Sequence, residues 1–450
     1  MGDAARRKFG QRNSGARGPR GENRGAGAWR GSPSCRIVIR ERDPHTSLEA
    51  TLITHPVITS RVRHRAPFLA GLLILAACSA PATTARDADV APSLSRPPLE
   101  QFAARLRAGE FGNVDHFVVL HEGRVVLDER FPRDYEAISR GKSSGIGCGA
   151  GACPDSSAVH QYNYLHPRFH PWWQGGNVHT LQSVTKSVTA TLIGIAQGRG
   201  EIKGFDTPLL SFFGAYDVSG VDPRLRQATL ADLLTMRSGI EWHESDRPFD
   251  LTNTTLQLEG SRDWIRFTLV QPMDAAPGTK WVYNSGGSML MSEIIRSTTG
   301  MSAERYAERY LFRPLGITNW HWKLTPTGHP DTEGGLYLSA PDLARIGQLY
   351  LDDGVWRGKR ILPAGWARTA TGRHVEHIRA DTTSPGYGYQ WWRYDRGDTE
   401  VWAGNGFGGQ FLVVLPAQRM VGVINAWNVF GDRVPGTLRP MIDAMLEAAR

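Results

Sequence analysis

His179-Thr180-Leu181-Gln182-Ser183-Val184-Thr185-Lys186-Ser187-Val188 is the stretch on which the reading of this 450-residue chain turns. From Ser183 to Gln197 the apolar residues Val184, Val188, Leu192 and Ile195 recur at steps of four and three, and Gly198 and Gly200 close the run. That spacing predicts a helix with one buried stripe and a glycine stop. On such a helix Ser183 and Lys186, three residues apart, share a face. A serine hydroxyl needs a neighbouring base to become a nucleophile. A lysine packed among apolar groups has a lowered pKa and can supply one. The helix start also presents free backbone N–H groups to a developing oxyanion. Taken alone, Ser-x-x-Lys is short enough that an ordinary first helical turn also satisfies it.

Further along, Pro277-Gly278-Thr279 precedes Tyr283-Asn284-Ser285, which Gly286-Gly287 and a helical stretch, Ser288–Ser297, follow. A third stretch, Val401-Trp402-Ala403-Gly404-Asn405-Gly406-Phe407-Gly408-Gly409-Gln410, reads as a strand ending in small residues. With Leu233-Leu234-Thr235-Met236-Arg237-Ser238-Gly239 and Gly334-Gly335-Leu336-Tyr337-Leu338-Ser339-Ala340-Pro341-Asp342-Leu343, these stretches resemble the serine β-lactamase-related family over roughly residues 110 to 440. That family includes class C β-lactamases and serine hydrolases similar to penicillin-binding proteins.

The resemblance implies roles. Ser183 attacks a carbonyl and becomes acylated; Lys186 and Tyr283 share the proton traffic, and which of them is the base stays open. The N–H groups of Ser183 and Phe407 form the oxyanion hole. Ser285, Gly404, Asn405 and Gly406 fall at substrate-binding positions. No metal and no cofactor is implied. Two departures bear on substrate. Gly404 stands where β-lactamases and cell-wall peptidases carry a cation, and no Lys, Arg or His lies between Val401 and Gln410. Ser285 replaces an asparagine. Both changes resemble the esterase and 6-aminohexanoate-dimer hydrolase branch. A small ester or amide is therefore the expected substrate; a β-lactamase or D-amino-acid peptidase, or a non-catalytic binding lipoprotein of the same fold, are the alternatives.

The other elements agree with an α+β fold: an antiparallel sheet flanked by helices, with a mostly helical second subdomain. Val114–Leu120 and Arg124–Glu129 read as a hairpin around Glu122-Gly123. Gln410–Leu415 and Met420–Ala426 read as strands, and Leu99–Ala108 and Leu438–Ala449 as helices near the two ends of the domain. Leu230–Met236 and Ala303–Leu311 are further helical stretches.

The basic balance is local. Residues 1–77 hold 14 Lys/Arg against 5 Asp/Glu; the remainder holds 38 against 39, so the domain is close to neutral and nucleic-acid binding is excluded. Residues 1–61 read as a disordered or mis-annotated leader. Residues 62–77 read as a signal: Arg63-His64-Arg65, then the apolar run Phe68–Ala77, too short to span a bilayer. Leu75-Ala76-Ala77-Cys78 resembles the lipobox of bacterial lipoproteins, which places a lipid on Cys78 and the protein on the periplasmic side of the envelope; a plain signal peptide containing a cysteine is the alternative. Residues 78–98 form a tether and 99–450 the hydrolase domain. Cys148 and Cys153, in a glycine-rich loop, have the spacing of a small-loop disulfide in an oxidising compartment, with a two-cysteine metal site as the other reading. His166, His170 and His179 are too scattered to imply zinc.

Overall fold

Alternation along its strands builds a sheet that is buried on both faces. In Val114–His121, Val118 and Leu120 enter one core while Phe117 and Val119 enter a second. Gln410–Leu415 repeats this, with Leu412 and Val414 on the first side and Val413 and Leu415 on the other. Such period-2 alternation is the property of a strand, and burying each of these side chains stabilises by about 1.5–3 kcal/mol.

The computed structural model describes residues 94–139, 172, 176–248, 250, 252–429 and 434–450, all within the unit Thr84–Arg450. Cys78, Cys148, Cys153, His166, His170 and the leader, signal and most of the tether lie outside the described residues. In chain order the strands are β1 (Val114–His121), β2 (Arg124–Arg130), β3 (His179–Thr180), β4 (His321–Trp322), β5 (Leu336–Leu338), β6 (Val355–Trp356), β7 (Lys359–Arg360), β8 (Gly386–Tyr387), β9 (Trp392–Arg396), β10 (Thr399–Gly406), β11 (Gln410–Leu415) and β12 (Met420–Ala426). Seven of them pair antiparallel in the order β2-β1-β12-β11-β10-β9-β8, and β3-β5-β4 make a second small sheet. The fold is therefore α+β, with N- and C-terminal strands interleaved.

One face of the large sheet is covered by the helices Pro97–Arg107 and Leu438–Ala448, whose Phe102, Leu106, Met441 and Met445 enter the second core. The other face carries the helix Val184–Gly198, in which Val184, Val188 and Leu192 are fully buried. Beyond it, the helices Leu230–Leu234, Thr254–Gly260, Trp264–Leu269 and Ser285–Thr299 make the helical subdomain. The sequence reading missed β8, β9 and the helix Ala340–Leu351. β8 has two residues, and β9 (WRYDR) has no clean alternation to reveal it.

Candidate active site

The segment leading into Ser183 is held from below. Leu181 N–H donates to Leu336 O at 2.9 Å, and β3 pairs with β5. His179 is buried, with Nδ1 2.8 Å from Thr180 O and Nε2 3.1 Å from Asp115 Oδ2. Trp172 packs edge-on to that imidazole at 4.8 Å. Gln182 then takes φ +49°, a left-handed conformation that a glutamine adopts at a cost of about 1–3 kcal/mol. This kink turns the chain from strand to helix and leaves Ser183 half-buried at the start of Val184–Gly198. Its hydroxyl makes no capping bond to the helix.

Lys186 reaches back one turn, as the spacing predicts. Its Nζ donates to Ser183 Oγ at 2.9 Å, to Glu333 O at 2.8 Å and to Glu333 Oε2 at 3.0 Å. Three acceptors for three N–H bonds describe an ammonium. Here the expectation of a lowered lysine pKa is corrected. Burial does push it down, but Tyr283, Glu333 and Glu244 outweigh burial and hold it above the ordinary lysine value. The pocket around Lys186 is polar and acidic, not apolar. Glu333 is placed by its own turn, in which Asp331 Oδ1 accepts from Glu333 N at 3.1 Å and Gly334 N at 3.0 Å.

Tyr283 is brought to the same point. Its ring centroid lies 5.3 Å from Lys186 Nζ, and its hydroxyl is near enough to Ser183 for that side chain to lower its pKa. Burial raises its pKa, with Lys186 opposing and Glu244 adding to the rise. Met236 braces the loop, because Val282 N–H donates to its carbonyl at 2.9 Å and Asn284 N–H to its sulfur at 3.3 Å. Trp392 stacks on the Tyr283 ring at 5.8 Å and 27°. Asn284 caps the next helix through Gly287 N at 2.7 Å.

Ser285 is placed differently from its expected substrate-facing role. It is fully buried; its Oγ donates to Glu244 Oε1 at 2.8 Å and its N–H to Glu244 Oε2 at 3.0 Å. Trp242 Nε1 adds a third donor at 3.1 Å. Burial raises the Glu244 pKa, with nearby Lys186 opposing. Neither Glu244 nor Glu333 was singled out from sequence, although Glu333 adjoins the quoted Gly334-Gly335.

The third stretch lies along β10, whose residues 404–406 extend past the pairing with β9, which ends at Ala403. Gly404 points at the helix Val184–Gly198: a Cβ there would sit 3.1 Å from both Ser187 Oγ and Val184 Cγ1. Gly406 is tighter still, since its Cβ would lie 2.4 Å from Leu181 O. These two glycines let β10 lie close against the start of that helix, Gly404 beside Val184 and Ser187 and Gly406 against the kink at Leu181 and Gln182. Asn405 points to the opposite face, where its amide donates to Tyr394 Oη at 2.6 Å. Through that bond it supports β9.

A family model described as Beta-lactamase matches residues 117–440. The chain is 26% identical over 268 residues to 6-aminohexanoate-dimer hydrolase of Paenarthrobacter ureafaciens, covering 55% of this chain and 66% of that one. It is 27% identical over 279 residues to penicillin-binding protein 4 of Amycolatopsis lactamdurans, covering 54% and 70%. These two relatives are thus matched over about two thirds of their length. Among solved structures, a provisionally assigned 6-aminohexanoate-dimer hydrolase from Bacillus anthracis superposes with TM-score 0.58 at 21% identity, over 77% of this chain and 81% of that one. With a family model spanning 117–440 of the 450 residues, over the very sheet and helices that surround Ser183, the chain belongs to the Beta-lactamase family of hydrolases.

Proposed function

We propose that this hydrolase forms an acyl-enzyme on Ser183 and acts on small esters or simple amides. One observation carries the reading: a buried ammonium, Lys186, bonded at once to the Ser183 hydroxyl and to a buried carboxylate, with Tyr283 against it. In this reading Lys186 stays charged and stabilises a Tyr283 phenolate. That phenolate takes the proton from Ser183 as Oγ attacks the carbonyl carbon. The tetrahedral oxyanion sits between the N–H groups of Ser183 and Phe407; losing one such donor raises a barrier by about 2.7–4 kcal/mol. Tyr283, now protonated, gives its proton to the leaving group, and water reverses the sequence to free Ser183.

The substrate class follows from charge. A penicillin carries a carboxylate, and a charge-assisted hydrogen bond to it contributes about 1.5–3 kcal/mol, or roughly 10- to 150-fold in rate. β10 supplies no cation, and two carboxylates, Glu244 and Glu333, stand near Lys186. An activated short ester asks only for Ser183, its base and the oxyanion hole. The relative from Paenarthrobacter ureafaciens bears the name of an amide hydrolase, which supports the same class. The proposal extends to location: a lipid on Cys78 holds the enzyme at the periplasmic side of a bacterial envelope.

The experiment is a substrate panel on purified protein from residue 79 onward, with Ser183→Ala as control. p-Nitrophenyl acetate or butyrate turns over and benzylpenicillin does so weakly or not at all. A higher kcat/KM for benzylpenicillin than for the esters would make the enzyme a β-lactamase or D-amino-acid peptidase instead. No Ser183-dependent turnover of any ester, amide or lactam, together with no labelling by a fluorophosphonate, would leave a binding lipoprotein.

A further inference from the structure

The helix that starts beside Ser183 ends, about 22 Å away at 1.5 Å per residue, in a second cavity of about 460 Å³. The apolar part of its lining is the half-buried Tyr310 and Ile361, set over Gly198 and the buried Ile195 and Leu362. Its polar lining is cationic. Arg199, Arg309, Lys359 and Arg360 all border it, and no Asp or Glu does. The charged residues of the chain from 78 onward nearly cancel, so four cations around one cavity are a local segregation and not a reflection of overall charge.

Two of the four are partly occupied. Arg199 donates to Glu201 Oε1 at 3.0 Å and to Tyr310 Oη at 3.1 Å, and lies 4.0 Å over the Tyr310 ring. Arg360 donates to the carbonyls of Asp353 and Leu362, with the Asp353 carboxylate at 3.8 Å. Arg309 and Lys359 make no carboxylate contact among the described residues, both are exposed, and Arg309 shares the Tyr310 ring with Arg199 at 5.2 Å. Like charges gathered on one ring repel each other, and an anion bound between them removes that repulsion. The carbonyl end of the helix does not oppose this, because its last carbonyls are taken: Ile195 O by Arg199 N, Ala196 O by Glu201 N and Gln197 O by Gly200 N.

We propose that this cavity binds a phosphate ester, with the anionic group between Arg199, Arg309 and Lys359 and an apolar body against Tyr310 and Ile361. Arginine forks suit the several oxygens of a phosphate, and the apolar wall suits an organic substituent. A soluble phosphate monoester and the headgroup of an anionic phospholipid share this chemistry. The site is remote from Ser183 and independent of the proposed hydrolysis.

The test uses the purified protein at low ionic strength, titrated by calorimetry with glycerol 1-phosphate and, separately, co-sedimented with vesicles of phosphatidylglycerol or of phosphatidylcholine. Saturable binding of the soluble ester, or sedimentation with phosphatidylglycerol only, is expected; the first marks a soluble ligand and the second a membrane headgroup. Arg309→Glu/Lys359→Glu should weaken that binding at least about tenfold and leave p-nitrophenyl ester hydrolysis and Tm unchanged. Arg124→Glu, an exposed reversal on β2, should leave binding intact. Absence of binding in both assays overturns the proposal. So does binding that survives the double variant or falls equally with Arg124→Glu.

Discussion

Glu244 receives both donors of Ser285, the hydroxyl at 2.8 Å and the backbone N–H at 3.0 Å, and so fixes the start of the helix that follows Tyr283. A carboxylate at a helix N-terminus is favoured by the helix dipole as well as by its hydrogen bonds. Glu244→Ala should leave the buried Ser285 donors unpaired and destabilise by about 1–3 kcal/mol. In a double-mutant cycle with Ser285→Ala the coupling should be about 0.5–3 kcal/mol, measured by urea unfolding. Additive effects would show that the two residues do not support each other.

Ser183→Ala should abolish labelling by a fluorophosphonate and turnover of p-nitrophenyl butyrate. Ser183 makes no capping bond but accepts from Lys186 at a half-buried position that water can reach, so the loss of stability should be about 0.5–1.5 kcal/mol. Wild-type turnover by the variant would remove Ser183 from the mechanism.

Lys186→Ala and Lys186→Met should both fold poorly, since each strands the buried carboxylate of Glu333. Breaking one side of a buried pair costs about 3–5 kcal/mol. Glu333→Gln keeps the shape and removes the charge, so it should be the milder change. A Tm order with Glu333→Gln below both lysine variants would contradict the pairing.

The pH profile carries a sign. The Tyr283 pKa is raised by burial, and carboxylates hold Lys186 above its ordinary value against burial, so the reactive phenolate is scarce at neutral pH. The kcat/KM for a short ester should therefore climb with pH into the alkaline range. Glu333→Gln removes a carboxylate that raises both pKa values, so the rise from Tyr283 should begin at lower pH and the Lys186 ammonium should be lost at lower pH, which ends the plateau earlier. The same logic applies to folding. A lysine with a raised folded pKa contributes stability that is complete below its unfolded pKa and is lost as pH rises through the folded value. Glu333→Gln should thus narrow the alkaline stability range. A flat profile between pH 7 and 10 would oppose these assignments.

The proposed lipid on Cys78 is checked by mass spectrometry of protein from its native membrane. The mature N-terminus should be an acylated Cys78, and a peptide running through Ala77-Cys78 in most of the protein would rule that out.

What was legible in the sequence follows from what is local. The 3.6-residue period exposed the Val184–Gly198 helix and with it the Ser183–Lys186 pair, because both sit on one turn. The alternation of β1, β11 and β12 exposed the sheet. Tyr283 was legible only through resemblance, since nothing local ties a tyrosine to a serine 100 positions earlier. Glu244 and Glu333 were not legible: each meets its partner across the fold, 41 and 147 residues away, in turns without periodicity. The kink at Gln182 was hidden for another reason. A glutamine gives no sign of positive φ, and only the packing around it imposes one.

The helices Pro97–Arg107 and Leu438–Ala448 share the sheet face away from Ser183, and Ser95 N–H donates to Ala448 O at 2.8 Å. The order of segments along the chain is therefore separable from their arrangement in space. A short linker from Arg450 to Ser95, with new ends opened at the exposed Gly358 between β6 and β7, would give a circularly permuted hydrolase in which every strand keeps its neighbours.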